Sequence, residues 1–173
     1  MRVVAGEFGG RRLRAPRGAG TRPTADRVRE ALFSMLGDVS GASVLDLYAG
    51  SGALGIEALS RGAASAVFVE RDAQAAATIR RNLDELGTEG DVRRQDAMAF
   101  LAASRATFDL VFCDPPYDSA PRLAEALAER LAAVTPDDAR IVTESDKRRP
   151  LELPFPLLRE RSYGDTRIAI HGR

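Results

Sequence analysis

Between residues 44 and 143, short apolar runs alternate with longer stretches whose apolar residues recur at helical spacing. Val44-Leu-Asp-Leu-Tyr-Ala49, Ala66-Val-Phe-Val69, a weaker stretch around Val92, Phe108-Asp-Leu-Val-Phe-Cys113 and Arg140-Ile-Val-Thr143 predict strands, most of them buried on both faces. The intervening segments predict helices: Ala53 to Ser60, a second whose Ala76, Ile79, Leu83 and Leu86 share a face, a short one near Phe100, and a fourth carried by Leu123, Leu127, Leu131 and Val134. Repeated strand–helix units need right-handed crossovers, which place helices on both faces of a mostly parallel sheet. The ending departs from this pattern. Leu157 to Tyr163 and Thr166 to His171 flank Gly164-Asp165 and predict a hairpin that adds an antiparallel edge. The expected class is α/β and doubly wound, with ligands beyond the carboxyl ends of the strands.

Upstream, Val28, Ala31, Leu32, Met35 and Leu36 form one helical stripe, with Asp26, Arg29, Glu30 and Ser34 away from it and Thr24 placed to cap the helix. Before that helix, short β-type runs surround Gly9-Gly10, a dipeptide suited to a tight hairpin turn. Pro16, Gly18 and Gly20 then mark a link. The expected division is a small N-terminal β-hairpin extension, residues 1–20, and a main domain, residues 21–173.

Charge changes this picture. The 173 residues carry no formal net charge, yet residues 1 to 29 hold eight arginines against Glu7 and Asp26, a net +6 that leaves −6 for the rest. A basic segment on an acidic body suggests a polyanionic partner. One cysteine and one histidine exclude an internal disulfide and make a protein-built metal centre untenable, so no metal is expected. No apolar run approaches the roughly 20 residues of a membrane span, and no signal core opens the chain, so a soluble cytoplasmic protein is expected.

The end of the first predicted strand reads Gly50-Ser-Gly52-Ala-Leu-Gly55, with Glu70 at the end of the second. Glycines there let backbone approach a nucleotide-type cofactor, and an acid after the second strand accepts hydrogen bonds from ribose hydroxyls. An NAD enzyme and an S-adenosylmethionine enzyme both need these features. Asp46 separates them in part, because a carboxylate inside the strand calls for a cationic ligand or a tightly hydrogen-bonded loop. Asp96, after the third strand, suits either an adenine amine or the N-cap of a helix starting at Ala97. At the end of the fourth strand stands Asp114-Pro115-Pro116-Tyr117. Two prolines hold the acid and its neighbouring carbonyls in a rigid turn. Such a turn can grip both protons of a nucleobase amine and expose its lone pair, while Tyr117 stacks on the ring. Catalysis of this kind is mostly positioning.

The order of glycine loop, ribose acid, adenine acid and Asp-Pro-Pro-Tyr resembles class I S-adenosylmethionine-dependent methyltransferases that act on amines. Arg2-Val-Val-Ala-Gly, Gly-Gly-Arg-Arg-Leu, Arg22-Pro-Thr-Ala-Asp-Arg-Val-Arg-Glu-Ala-Leu-Phe33 and Tyr163-Gly-Asp-Thr166 make the chain similar, over nearly its whole length, to the RsmD family of bacterial 16S rRNA guanine-N2 methyltransferases. The resemblance implies a Rossmann-like class I methyltransferase fold with a mostly parallel seven-stranded sheet. It implies S-adenosylmethionine held near Thr24, Asp46, Tyr48, Ala49, Gly50, Gly52, Glu70, Arg71, Asp96 and Ala97, and a target amine held at Asp114 to Tyr117. It also implies 16S rRNA or the small subunit as partner; the basic segment, through Arg2, Arg11, Arg12, Arg14 and Arg22, is expected to grip its phosphates, and a monomer is expected because every helix stripe is needed to cover the one sheet. The Asp-Pro-Pro-Tyr motif also serves amino-methyltransferases of DNA adenine or cytosine, and a non-catalytic RNA-binding assembly factor remains the alternative outside enzymology. Cys113 reads as a small buried hydrophobe and His171 as a strand residue.

Overall fold

A computed structural model describes residues 1–16, 26–115 and 120–173, the last without the side chains of residues 120–123. Its elements run α1 (Asp26–Leu36), β1 (Ser43–Leu47), α2 (Ala53–Ser60), β2 (Ser65–Val69), α3 (Ala73–Leu86), β3 (Asp91–Arg93), α4 (Ala97–Ala103), β4 (Leu110–Cys113), α5 (Ala120–Ala133), β5 (Arg140–Asp146), β6 (Leu157–Tyr163) and β7 (Thr166–Gly172). The seven strands lie in the order β3-β2-β1-β4-β5-β7-β6. Strands β1 to β5 pair in parallel, whereas β7 runs antiparallel to both β5 and β6.

Because side chains alternate along a strand, β1 feeds two cores. Val44 joins Phe33, Ile56, Phe68, Ile79 and Phe112 on the face covered by α1, α2 and α3. Leu45 and Leu47 join Val111, Cys113, Leu127, Leu131 and Ile141 on the other. Local signals stop the helices where the pattern predicts. Asp72 caps α3 by accepting the Ala75 N–H at 2.8 Å, and Gly87 ends that helix at φ 73°.

Two features of the amino-terminal region differ from expectation. The hairpin does not turn tightly at Gly9-Gly10. Its arms meet at a single bridge between Arg2 and Arg12, and the reversal is spread over the residues between, with the Gly10 N–H on the Val3 carbonyl and the Val3 N–H on that of Arg11. Arg29, expected off the apolar stripe, is fully buried together with Leu32, Phe33 and Leu36. Its guanidinium reaches the Arg2 carbonyl and pairs with Asp26 at 2.8 Å. Both differences have one cause. The arm packs on the domain as a further layer, so groups that face solvent in an isolated hairpin or helix here face each other.

Helix α2 holds that layer in place. Glu57, fully buried, accepts the Val4 N–H at 2.7 Å and the Ala5 N–H at 3.0 Å, and pairs with Arg61 at 2.8 Å. One turn on, the Ser60 hydroxyl accepts the Phe8 N–H at 2.9 Å and donates to the Ala5 carbonyl at 2.5 Å. Val3, Phe8 and Leu13 thereby enter the same apolar cluster as the sheet. Removing the carboxylate leaves two backbone donors and a guanidinium without their acceptor, so Glu57→Ala should cost about 3 kcal/mol. A urea titration measures it. A loss under about 0.5 kcal/mol would show that the arm is held by apolar contacts alone.

Candidate active site

The chain winds outward from β1 in both directions, to β2 on one side and β4 on the other, so the loops after β1 and β4 part at the carboxyl ends of the strands. β1 stops at Leu47, two residues earlier than its apolar run. The reason is Tyr48, which adopts φ 58°, a left-handed conformation costing about 1 to 3 kcal/mol for a residue with a side chain. The turn that follows is cross-tied to β2. The Ala49 N–H donates to the Val69 carbonyl at 3.1 Å and the Gly50 N–H to Glu70 Oε2 at 2.9 Å, while Glu70 Oε1 accepts the Asp72 N–H at 2.8 Å. Each Glu70 oxygen keeps a further lone pair, enough to accept hydroxyl donors as well.

The glycines of this turn divide the work. A side chain at Gly50 would meet only the Tyr48 carbonyl at 3.9 Å, so the backbone there lies open to a ligand. A side chain at Gly55 would fall 2.4 Å from the Phe68 ring, so that glycine lets α2 pack on β2. Gly52 is the N-cap of α2 and offers no side chain to the free N–H groups of the first turn. Asp46 supplies one from inside the sheet: its Oδ2 accepts the Gly55 N–H at 2.9 Å.

Asp46 is buried, and burial pushes its carboxyl up to about 7, with the charge of Glu70 adding to the rise and the Gly55 N–H opposing it. Asp114 follows β4 directly. Burial holds its carboxyl well above the usual carboxylate range, and the charges of Glu144 and Asp46 push it the same way. Burial raises the Cys113 thiol, with the charges of Asp114 and Asp46 adding to the rise, so this 1% exposed side chain stays protonated and unfit as a nucleophile. A cluster of acids with depressed acidity, beside an open glycine turn, suits a cationic ligand and a substrate rich in N–H donors.

A family model described as "Conserved hypothetical protein 95" matches residues 1–172. The ribosomal RNA small subunit methyltransferase D of Haemophilus influenzae is 37% identical over 174 residues, 95% of this chain and 89% of that protein. The protein of the same name from Escherichia coli strain K12 is 45% identical over 120 residues, 68% of this chain and 60% of its own length. The chain belongs to the small subunit methyltransferase D family. A solved structure of yhhF from Escherichia coli agrees with it at TM-score 0.88 and 37% identity, covering 100% of this chain and 97% of that one. The Rossmann-like class I methyltransferase fold follows, with its antiparallel hairpin at β6 and β7.

In this family member, Asp46, Tyr48, Ala49, Gly50, Gly52, Glu70, Asp114 and Pro115 come together at adjoining strand ends. Asp96 lies at the same end of the sheet, beyond β3, where it caps α4 through the Ala99 N–H at 3.0 Å; Ala97 is buried behind it and Arg71 is exposed. Arg2, Arg11, Arg12 and Arg14 lie on the arm, exposed. Arg11 donates to the Glu85 carbonyl, and Arg14 pairs with the Glu85 carboxylate at 2.6 Å. Arg22, Thr24, Pro116 and Tyr117 fall outside the described residues.

Three residues went unread in the sequence. Glu57 has been described above. Asn82, buried on α3, accepts the Arg14 N–H at 2.8 Å and donates to the Arg14 carbonyl at 3.2 Å and the Ser51 carbonyl at 3.0 Å, tying the arm to the glycine turn. Glu144, near the end of β5, stands beside Asp114 in the sheet register. No local signal distinguishes the first two from ordinary helix residues; Glu144 was visible only as an acid inside an apolar strand.

Raising the Asp46 carboxyl in the fold makes the folded state bind more protons than the unfolded chain between about pH 4 and 7. Its contribution to stability is therefore full below pH 4 and is lost as pH rises through about 7. Asp46→Asn keeps an acceptor for Gly55 without the ionisation, so its stability should gain on the wild type from pH 5 to pH 8. Urea midpoints that stay parallel over this range would refute the assignment.

Proposed function

We propose that this chain transfers the methyl group of S-adenosylmethionine to the exocyclic N2 amine of a guanine in 16S rRNA of the small ribosomal subunit, as a cytoplasmic monomer. The observation that carries this reading is Asp114-Pro115 at the end of β4, one strand from an open glycine turn bordered by two acids, Asp46 and Glu70. The relatives named for small subunit rRNA methylation support the substrate. No helix among the described residues is long and apolar enough to cross a membrane, and none of their His, Cys, Asp and Glu side chains form a group able to hold a metal ion.

The residues present fit the cofactor. Gly50 leaves room for its close approach, Glu70 has lone pairs for two ribose hydroxyls, and Asp46 gains a charge partner from a cation nearby, which returns its carboxyl toward the ionised form. Bound there, S-adenosylmethionine supplies an electrophilic methyl group on a positively charged sulfur. The rest is positioning by the protein. The lone pair of a guanine amine is delocalised into the ring; Asp114 and the Pro115 carbonyl accept its two N–H bonds and draw the nitrogen towards tetrahedral geometry. With the lone pair so exposed, the amine would take the methyl group that the cofactor supplies and leave the sulfur neutral, and Asp114, its proton affinity raised by burial, would accept the proton the nitrogen then loses. The arm, residues 1–20, grips phosphates while the domain at 21–173 does the chemistry, and a looped or single-stranded site lets the base flip out cheaply.

Purified protein, labelled S-adenosylmethionine and small subunits or rRNA lacking the modification should yield labelled N2-methylguanine on nucleoside analysis. Asp114→Ala should lower kcat by about 100-fold or more while RNA affinity stays within about threefold. Label appearing in adenine or cytosine, or none with a folded protein on either substrate, sinks the reading. Arg12→Gln should reduce the slope of log affinity against log salt by about 0.7 for a single-stranded site. An unchanged slope would take Arg12 out of the RNA interface.

A further inference from the structure

The reading above leaves one buried acid without a task. The β4–β5 register pairs Phe112 with Val142 and Cys113 with Thr143, so Asp114 and Glu144 are the next positions on neighbouring parallel strands. Alternation puts both on the face that carries Phe112 and Val142, where Glu144 also stands opposite Ile168 of β7. On β1, Asp46 pairs with Phe112 and belongs to that face too. Glu144 is 6% exposed and close enough for its charge to act on Asp114. A second carboxylate therefore stands directly beside the acid that holds the target amine, on the side away from the glycine turn.

We propose that Glu144 selects the target base, its carboxylate accepting the N1–H of guanine while Asp114 accepts an N–H of the neighbouring N2 amine. The inference rests on the reading of the chain as a guanine-N2 methyltransferase. Guanine alone among the amine-bearing bases presents an N–H donor next to its exocyclic amine on the Watson–Crick edge. Adenine and cytosine present a ring nitrogen lone pair there, which a carboxylate repels. Asp114 and the Pro115 carbonyl would grip any such amine, so the discrimination has to come from what lies beside it. A carboxylate has about four lone-pair sites, so Glu144 can serve the protein and the base together. In a water-poor site, a mismatched lone pair against it would be strongly disfavoured.

The test compares guanine with 2-aminopurine, which keeps the N2 amine but carries a lone pair at N1. Once the guanine labelled by the wild type has been located, both are placed at that position of full-length 16S rRNA by splinted ligation, used free or reconstituted into subunits. Wild-type kcat/KM should favour guanine by about 100-fold. Glu144→Gln offers an amide N–H to the N1 of 2-aminopurine and should lower that preference by about tenfold or more, with S-adenosylmethionine affinity unchanged. A purely structural Glu144 would weaken both substrates alike. The inference is overturned if the wild type treats the two bases within about threefold of each other, a comparison that needs no variant, or if Glu144→Gln depresses both equally. Failure of the wild type to methylate guanine at all would instead overturn the functional reading on which it rests.

Discussion

A carboxylate in the middle of a sheet must find donors or lose its charge, and Asp46 finds its donor in the first turn of α2. That one hydrogen bond, to the Gly55 N–H, fixes where the helix begins relative to the strand. The turn between them has little freedom left: Tyr48 is forced to φ 58°, the Gly50 N–H is handed to Glu70, and Gly55 is pressed against Phe68. The backbone around Gly50 is left open as a result, and the acids that line it are held at fixed positions by the sheet. The charge cost of that arrangement appears as the raised carboxyls of Asp46 and Asp114. Acids held in this state suit a cation or N–H donors better than they suit water.

The same logic operates on the amino-terminal arm. The sequence reads as a basic segment attached to an acidic body, and the fold gives the described arginines different surroundings. Arg29 is inside the protein, holding the Arg2 carbonyl; Arg11 and Arg14 lean on Glu85; Arg2 and Arg12 stay exposed. The arm is anchored by Glu57, Ser60 and Asn82, none of them in the crevice. Asn82 bonds both to Arg14 and to the Ser51 carbonyl, so the basic arm and the glycine turn share a single buried amide.

Much of the fold was legible because it depends on short-range patterns. The apolar runs that became β1, β2, β4 and β5, the helical faces of α3 and α5, and the closing hairpin follow from side-chain period alone. The glycine turn, Glu70 and Asp114-Pro115 were legible as motifs because each directly follows an apolar run, and the structure sets them at neighbouring strand ends. Errors came where contact with a distant layer decides conformation. Strand β1 ends early because Tyr48 is recruited into the turn, and Arg29 is buried because the arm lies over α1. The Gly9-Gly10 turn is opened because residues 4 to 8 bind α2 in preference to one another.

By itself, then, the sequence determined the class of fold, the order of its elements, the motif at each strand end and the asymmetry of charge along the chain. Periodicity, turn chemistry and motif spacing are local and survive without a structure. Only the tertiary structure decided which acids become neighbours and which basic groups face solvent. Strand register places Glu144 beside Asp114 across 30 residues of chain, and burial shifts the proton affinities of the acids around it. Both are consequences of packing between segments far apart in sequence, where dielectric and distance, and not residue type, set the chemistry.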